Sequence, residues 1–476
     1  MSESKRKSAV LKDGESSWFN RCAFVVLCAM PVFSVVAFGA VDIWALGANA
    51  VFAGLLIVFW TADAWRKKSF RFNANTLQIP LAALILIGLI QLLPLRSLNL
   101  PAQSLSIPAT ATLSFAPYAT RFALIQLVIY CLFFAAALIF IGTTKRLRRV
   151  VVGIIGFGAL MAFFGILQNL ASLDGIYGVR LPVQAVPFAS FVNRHHFAAF
   201  MEMTIGLTLG LLFGKATKSN KRIFLLIAVV IMGSALVLTS SRGGIISLLA
   251  VIVFVIAASL RGAPSAETAA PTEKTSLSRQ TAFYIGGGVI LVLGLFGAVI
   301  LLGGDESLLR GIGLANQADA SGGRFHFWQI AGRIFFDHPI LGAGLDAFGT
   351  LFPQYDNWNG TYRIEQAHND YLQTLADAGI IGFATIAAFI YLLFKKGRAV
   401  ISQTADRFGR GAAVGALAGC LGILIHSFFD FPLRTPSNAL FFLLLTAIAT
   451  GSFSSAGQRR RKRTAPARTE NLIDVR

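Results

Sequence analysis

The chain has 476 residues, of which 55% are hydrophobic and 13% charged, with a mean hydropathy of +0.68 and a net charge of +20. That apolar excess goes far beyond what a globular core uses, and it excludes a soluble domain or a disordered chain. The composition defines an all-α polytopic membrane protein.

A spanning helix takes about 20 mostly apolar residues, and about twelve runs near that length recur along the chain. In order they are 22–40, 45–62, 79–95, 122–142, 150–170, 197–213, 223–238, 244–260, 282–302, 380–394, 411–428 and 440–453. The first follows the basic residues Lys5, Arg6, Lys7, Lys12 and Arg21 and has the form of a signal peptide. A second run follows almost at once, which favours a retained anchor. Cys22, Cys28, Cys131 and Cys420 all fall inside runs and suggest neither a disulfide framework nor a metal cluster.

The domain organisation follows: an N-terminal tail 1–21, nine spans over 22–302, a long outer loop 303–377, three spans over 378–453 and a basic tail 454–476. The positive-inside rule sets the orientation. With the N-terminus in the cytoplasm, most of the 42 Lys and Arg lie in cytoplasmic stretches, and both termini are cytoplasmic. The net charge is therefore a topological signal, with some attraction to anionic membrane lipids. Arg459-Arg460-Arg461-Lys462-Arg463 directly follows a span and reads as stop-transfer anchoring, so no nucleic-acid partner is expected.

The basic residues left on the outer side are Arg96, Arg121, Arg180, Arg194, Arg242, Arg310, Arg324, Arg333, Arg363 and Arg434, with no lysine among them. All six histidines fall on or near the same face. Arginine presents a planar fork that grips phosphate oxygens in pairs, whereas lysine is a point charge. The set suits an anionic substrate with proton transfer, although single arginines at helix ends also serve as anchors.

Within 303–377, Ser321 can cap a helix carrying Arg324 and Trp328 four residues apart, ending at His338-Pro339, after which Gly342-Ala343-Gly344 makes a turn. A second helix is expected over 367–378, with His368 in its first turn and Gly379 as its C-cap. A histidine there is either a buried, satisfied side chain or a titrating group. Asp370 and Asp377 read as solvated or capping charges. The aromatics Phe325, Trp328, Phe352, Tyr355, Trp358, Tyr362 and Tyr371 suit packing or an interfacial belt, with one or two left for sugar contact.

Several of these motifs together resemble the O-antigen ligase and polysaccharide polymerase superfamily of bacterial inner-membrane glycosyltransferases. They are His368-Asn369 followed by Gly379 and Gly382; Ser241-Arg242-Gly243; Gly323-Arg324 with Trp328; His338-Pro339 through Gly342 and Gly344; and His426 with Asp430 and Pro432. The resemblance runs over 193–438.

It implies a transferase that moves a glycan from a polyprenyl diphosphate carrier, of the undecaprenyl kind, to an acceptor sugar on the periplasmic side. The acceptor is a lipid A core for a ligase or a growing polysaccharide for a polymerase. His368 is then the base that activates the acceptor hydroxyl. Arg324 and Arg242 stabilise the departing diphosphate. Asn193, Arg194, His195, Asn369, Trp328, His426 and Asp430 are expected around the substrate.

A single displacement with one base inverts the anomeric centre. No cofactor is expected, and no metal, since neither Asp-x-Asp nor clustered His/Cys spacing occurs in the loop. Protein O-glycosylation, carriage of lipid-linked glycans and a scaffolding role are the competing readings. No transporter-type inverted repeat is evident.

Overall fold

The computed structural model describes residues 17–97, 110–171, 175–182, 185–214, 216–217, 219–260, 323–357, 364–453 and 472–475. The elements are α1 (Trp18–Val36), α2 (Ile43–Lys67), β1 (Phe70–Asn73), α3 (Gln78–Gln91), β2 (Arg96–Ser97), β3 (Thr110–Ala111), α4 (Pro117–Phe140) and α5 (Thr144–Leu170). There follow α6 (Arg194–Phe213), α7 (Ser219–Leu238), α8 (Arg242–Leu260), α9 (Arg324–Asp337), α10 (Phe348–Tyr355), α11 (Asp370–Gln403), α12 (Arg407–His426), α13 (Pro436–Thr450) and β4 (Leu472–Val475). The strands form two antiparallel pairs, β1 with β4 and β2 with β3.

Nine of the described helices are long and apolar enough to cross a membrane. The chain is thus an all-α, multi-pass membrane protein. Each expected span coincides with a helix, except 282–302, which lies outside the described residues along with the Ser321 cap, Arg310, Trp358, Tyr362, Arg363 and the tail arginines. Span 79–95 comes out shorter than expected, as α3 with 14 residues, and span 440–453 comes out shifted toward the N-terminus, as α13 with 15.

The centre of the bundle is α6 and α12, whose apolar windows are 94% and 83% buried, against 22% for α2 at the rim. Glycine makes this closeness possible. A Cβ on Gly206 would stand 2.6 Å from the amide nitrogen of Gly419, and one on Gly210 would collide with the backbone of Gly415. Helices in lipid gain little from hydrophobic sorting, so such backbone approach supplies the van der Waals contact that holds them.

The second half of the long loop folds against one end of this bundle. Phe327, Ile330 and Ile334 of α9 pack with Phe348, Leu351 and Phe352 of α10 and Ala376 of α11 in a small core of their own. Each fully buried side chain of that size contributes about 1.5–3 kcal/mol.

Pro339 stops α9, and the backbone after it repairs a break in α11. That helix is interrupted at Gly379, with φ 63° and ψ −164°. The carbonyls this frees are met: Ala343 donates its N–H to Ala376 at 2.9 Å, and Gly344 to Asp377 at 3.0 Å. In return Ile380 donates to the Pro339 carbonyl at 2.8 Å. Gln91 of α3 seals the junction, its amide donating to Leu341 O at 2.6 Å and Asp377 O at 2.8 Å. Buried backbone groups must be paired, and here a helix break is paired by a neighbouring turn.

Two local expectations are corrected. The helix expected over 367–378 begins at Asp370, because the Asn369 side chain caps it, accepting from Tyr371 N and Leu372 N at 3.0 Å each. His368 therefore lies before the helix, in left-handed backbone at φ 53°. Gly379 does carry the positive φ of a C-cap, but the chain resumes helix at once, so the expected loop helix and the span 380–394 are one broken element.

Candidate functional site

Three helices start at the same end of the bundle, and each starts with an arginine: Arg194 in α6, Arg242 in α8 and Arg324 in α9. None of the three has an acidic residue in its first turn. A helix N-terminus already carries partial positive charge, so an arginine there is an electrostatic cost in isolation and an asset beside an anion. Asn193 accepts from His195 N at 2.9 Å and so caps α6. Arg194, Arg324 and Asp430 are the electrostatic neighbours of His195.

Two histidine assemblies stand at these starts. In the first, His368 Nδ1 lies 2.9 Å from Asp430 Oδ1. The carboxylate's other oxygen is 3.8 Å from the Arg324 guanidinium and has no hydrogen bond of its own among the described residues. Burial opposes a charge on Asp430, but the His368 hydrogen bond and the neighbouring histidines outweigh it and hold the carboxyl well below the usual carboxylate range. Phe431 fixes the imidazole from the side, edge-on at 4.8 Å, and touches His196 at 4.7 Å in the same way. Left-handed backbone at a non-glycine residue costs about 1–2 kcal/mol, and at His368 it is held by the Asn369 cap on one side and Asp430 on the other.

In the second assembly, His195 Nδ1 meets Ser241 Oγ at 2.9 Å. Ser241 Oγ lies 3.5 Å from His426 Nε2, whose Nδ1 is 2.7 Å from Glu202 Oε1. Glu202 is fully buried within α6. Gly243 leaves room for the His426 ring, since a Cβ there would stand 3.0 Å from it.

The expected residues are thus largely brought together. Arg324, His368 and Asp430 form one direct cluster, and His195 and His426 are joined through Ser241. Asn369 caps α11 and donates to Phe428 O at 3.1 Å, which places it beside the cluster as a structural support. Trp328 holds its indole N–H buried without a hydrogen-bond partner among the described residues. His326 and His338 go elsewhere: His326 pairs with Asp356 at 2.7 Å, and His338 lies tilted against the Phe115 ring at 4.7 Å. Of the expected aromatics, Phe352 lies in the small core with Tyr355 against it, Tyr371 donates to Leu424 O at 2.6 Å, and Phe325 is exposed.

Asp370 and Asp377 are not solvated. Both are buried, and Arg434 binds Asp377 at 2.7 Å and approaches Asp370 at 3.8 Å. The pairing raises the Arg434 guanidinium's hold on its proton despite the opposing effect of burial. Arg180 likewise pairs with Asp42, and Arg96 lies over the Phe115 ring at 3.9 Å, so several of the arginines expected on the outer face have structural roles. Glu202, Ser241 as a bridge, and Arg434 were not among the expected site residues. An ionisable residue inside a span is a functional candidate by default, and Glu202, seven positions beyond His195, carried that signal.

The fold and the cluster define a polytopic membrane protein with paired histidine–carboxylate assemblies and arginine-headed helices at one end. Residues 227–387 match the family model described as O-antigen ligase. That match supports the O-antigen ligase and polysaccharide polymerase superfamily, and with it a ligase- or polymerase-type function in glycan assembly. The matched segment runs from α7 to the middle of α11; Arg194, Glu202, His426, Asp430 and Arg434 lie outside it. No curated protein matches the chain.

Proposed function

We propose that the chain is a glycosyltransferase of the O-antigen ligase type, passing a glycan from a polyprenyl diphosphate carrier to an acceptor sugar. The observation that carries this reading is the geometry of His368, whose Nδ1 is anchored on the buried Asp430 at 2.9 Å with Arg324 at the far side of the same carboxylate. With Nδ1–H donated to Asp430, Nε2 keeps its lone pair and acts as base toward the acceptor hydroxyl. Asp430 stabilises the imidazolium that forms.

Charge grows on the diphosphate as the glycosidic carbon leaves it. Arg324, Arg242 and Arg194, at helix N-termini, stabilise that charge in a partly desolvated place. A diphosphate is an activated leaving group, so the residues present suffice without a metal or nucleotide, and attack opposite to it inverts the anomeric centre. In the orientation the positive-inside rule favours, the cluster faces the periplasm from the inner membrane, with both termini in the cytoplasm and 303–377 on the outer side.

The test is reconstitution of the purified protein with a lipid-linked oligosaccharide and, separately, a lipid A core, a second lipid-linked unit or a glycosylatable protein, with products resolved by mass. Transfer to one acceptor, lost in His368→Ala, is the expected result and tells ligase from polymerase. Transfer to none of them, together with full function of His368→Ala in cells, would sink the proposal.

A further inference from the structure

The chain from Glu202 to His195 joins four proton-carrying groups on α6, on α12 and just ahead of α8, and the base role given to His368 leaves it unused. Its contacts run Glu202 Oε1 to His426 Nδ1 at 2.7 Å, His426 Nε2 to Ser241 Oγ at 3.5 Å and Ser241 Oγ to His195 Nδ1 at 2.9 Å. Gly244 N–H also donates to Ser241 Oγ at 3.2 Å, which holds the hydroxyl between the two rings. Glu202 is fully buried and Ser241 and His426 are 1% exposed, while His195 is only partly buried. The chain therefore runs from a sealed carboxylate to a ring at the site, and of the four nitrogens in its two imidazoles it leaves His195 Nε2 without a hydrogen bond among the described residues.

Such a chain has two hydrogen-bond polarities. With His426 neutral, its Nδ1–H donates to Glu202, Ser241 donates to His426 Nε2, and His195 Nδ1–H donates to Ser241, so His195 Nε2 is an acceptor. With His426 protonated, Nε2–H donates to Ser241, Ser241 donates to His195 Nδ1, and His195 Nε2 carries a proton. The buried carboxylate makes the second state accessible, because a buried imidazolium requires a paired anion.

We propose that Glu202, His426 and Ser241 form a proton wire that makes His195 the general acid for the departing diphosphate. The inference rests on the transferase reading and adds to it a second proton transfer, to the leaving group. As the bond between the anomeric carbon and the phosphate oxygen breaks, its electron pair goes to that oxygen, which takes the proton on His195 Nε2. Ser241 passes its proton to His195 Nδ1 and receives the one on His426 Nε2, leaving a neutral His426 donating to Glu202. The acceptor oxygen bonds to the anomeric carbon and gives its proton to His368. One proton is gained and one lost, and both are exchanged with solvent before the next turnover. Glu202, His426 and Ser241 act through His195 and are positioning residues. The charged groups that face the wire are Arg194, Arg324 and Asp430.

The experiment uses the full chain in lipid nanodiscs, unaltered and as Glu202→Gln and Glu202→Asp. In transfer assays with a lipid-linked oligosaccharide, Glu202→Gln is expected to lower kcat about 100-fold with donor KM little changed. It should also move the alkaline limb of the kcat–pH profile to lower pH, since His426 without the carboxylate gives up its proton earlier. Glu202→Asp should recover part of the rate and restore the limb. A merely structural role lowers kcat at every pH and leaves the limb in place, and that outcome overturns the wire.

The second readout needs no turnover: the ring 15N signals of His195, assigned by their loss in His195→Gln, should shift from the Nε2–H toward the Nδ1–H tautomer in Glu202→Gln. An unchanged His195 ring overturns the wire whether or not transfer is detected. Absence of transfer by the unaltered protein counts against the transferase reading instead, and the ring signals still decide the wire.

Discussion

The Arg434 guanidinium reaches Asp377 at 2.7 Å and so ties the segment between α12 and α13 to the part of α11 just ahead of its break. The same guanidinium approaches Asp370 at 3.8 Å and Asp346 at 3.0 Å. His368 and Asp430 belong to the two strands of chain that this cation joins, so their 2.9 Å contact depends on it. Arg434→Ala leaves Asp370 and Asp377 buried without a cation, held only by the neutral donors Ser427, Leu433 and Phe348. Breaking one side of a buried ion pair costs about 3–5 kcal/mol, and the partial exposure of Arg434 argues for the lower end. A thermal melt in detergent should show a clear drop; a transition unmoved by the substitution would contradict the tie.

Gly379 should tolerate no side chain. At φ 63° a Cβ is strained, and it would also stand 2.5 Å from the Ile340 carbonyl carbon and 2.7 Å from Gly342 N. Gly379→Ala is expected to cost at least about 2 kcal/mol and to lower the yield of folded protein. Gly332, whose Cβ would meet nothing within 4 Å, is the control, and Gly332→Ala should be nearly silent.

For activity, Asp430→Asn should lower transfer about 100-fold or more by removing the anion behind the His368 imidazolium, and His368→Ala at least as much. The double variant should lose little beyond the worse single one, because groups acting as a unit are not additive. Independent, multiplying losses would show that His368 and Asp430 act separately. The assay is initial-rate transfer by protein whose insertion and melting are checked in parallel.

Acid should reveal Asp430 late. Its folded carboxyl lies well below the ordinary range, since the His368 hydrogen bond and neighbouring histidines outweigh the cost of burial. A lowered folded value means stability that is present above the unfolded value, about 3.9, and lost as pH falls through the folded one. The gap in melting temperature between the unaltered protein and Asp430→Asn should therefore persist at about pH 5 and narrow only below about pH 4. A gap that closes between neutrality and about pH 5 would contradict this assignment.

The spans are legible in the sequence because the bilayer imposes a length and a hydropathy on each. Their ends are less so: α3 stops at Gln91, in the middle of an apolar run, because that amide is used by Leu341, Leu345 and Asp377, partners some 250 positions or more away. The same remoteness hid the role of Asp370 and Asp377, which look solvated until Arg434 is brought to them across 64 and 57 positions. His368, Arg324 and Asp430 were readable as candidates from motif and residue type. That His195, Ser241, His426 and Glu202 form one chain was not, because it depends on how three helices cross.

The glycine contact between α6 and α12 leaves no side chain there to trade for another size. Glu202 sits on one of those helices and His426 on the other, so the spacing of that pair is as invariant as two backbones in contact. The opposite boundary, made by α9, α10 and the turn after Pro339, is built from ordinary side-chain packing. Variation among related chains in the sugar they accept should therefore accumulate in the second half of the loop, while α6 and α12 drift together or not at all.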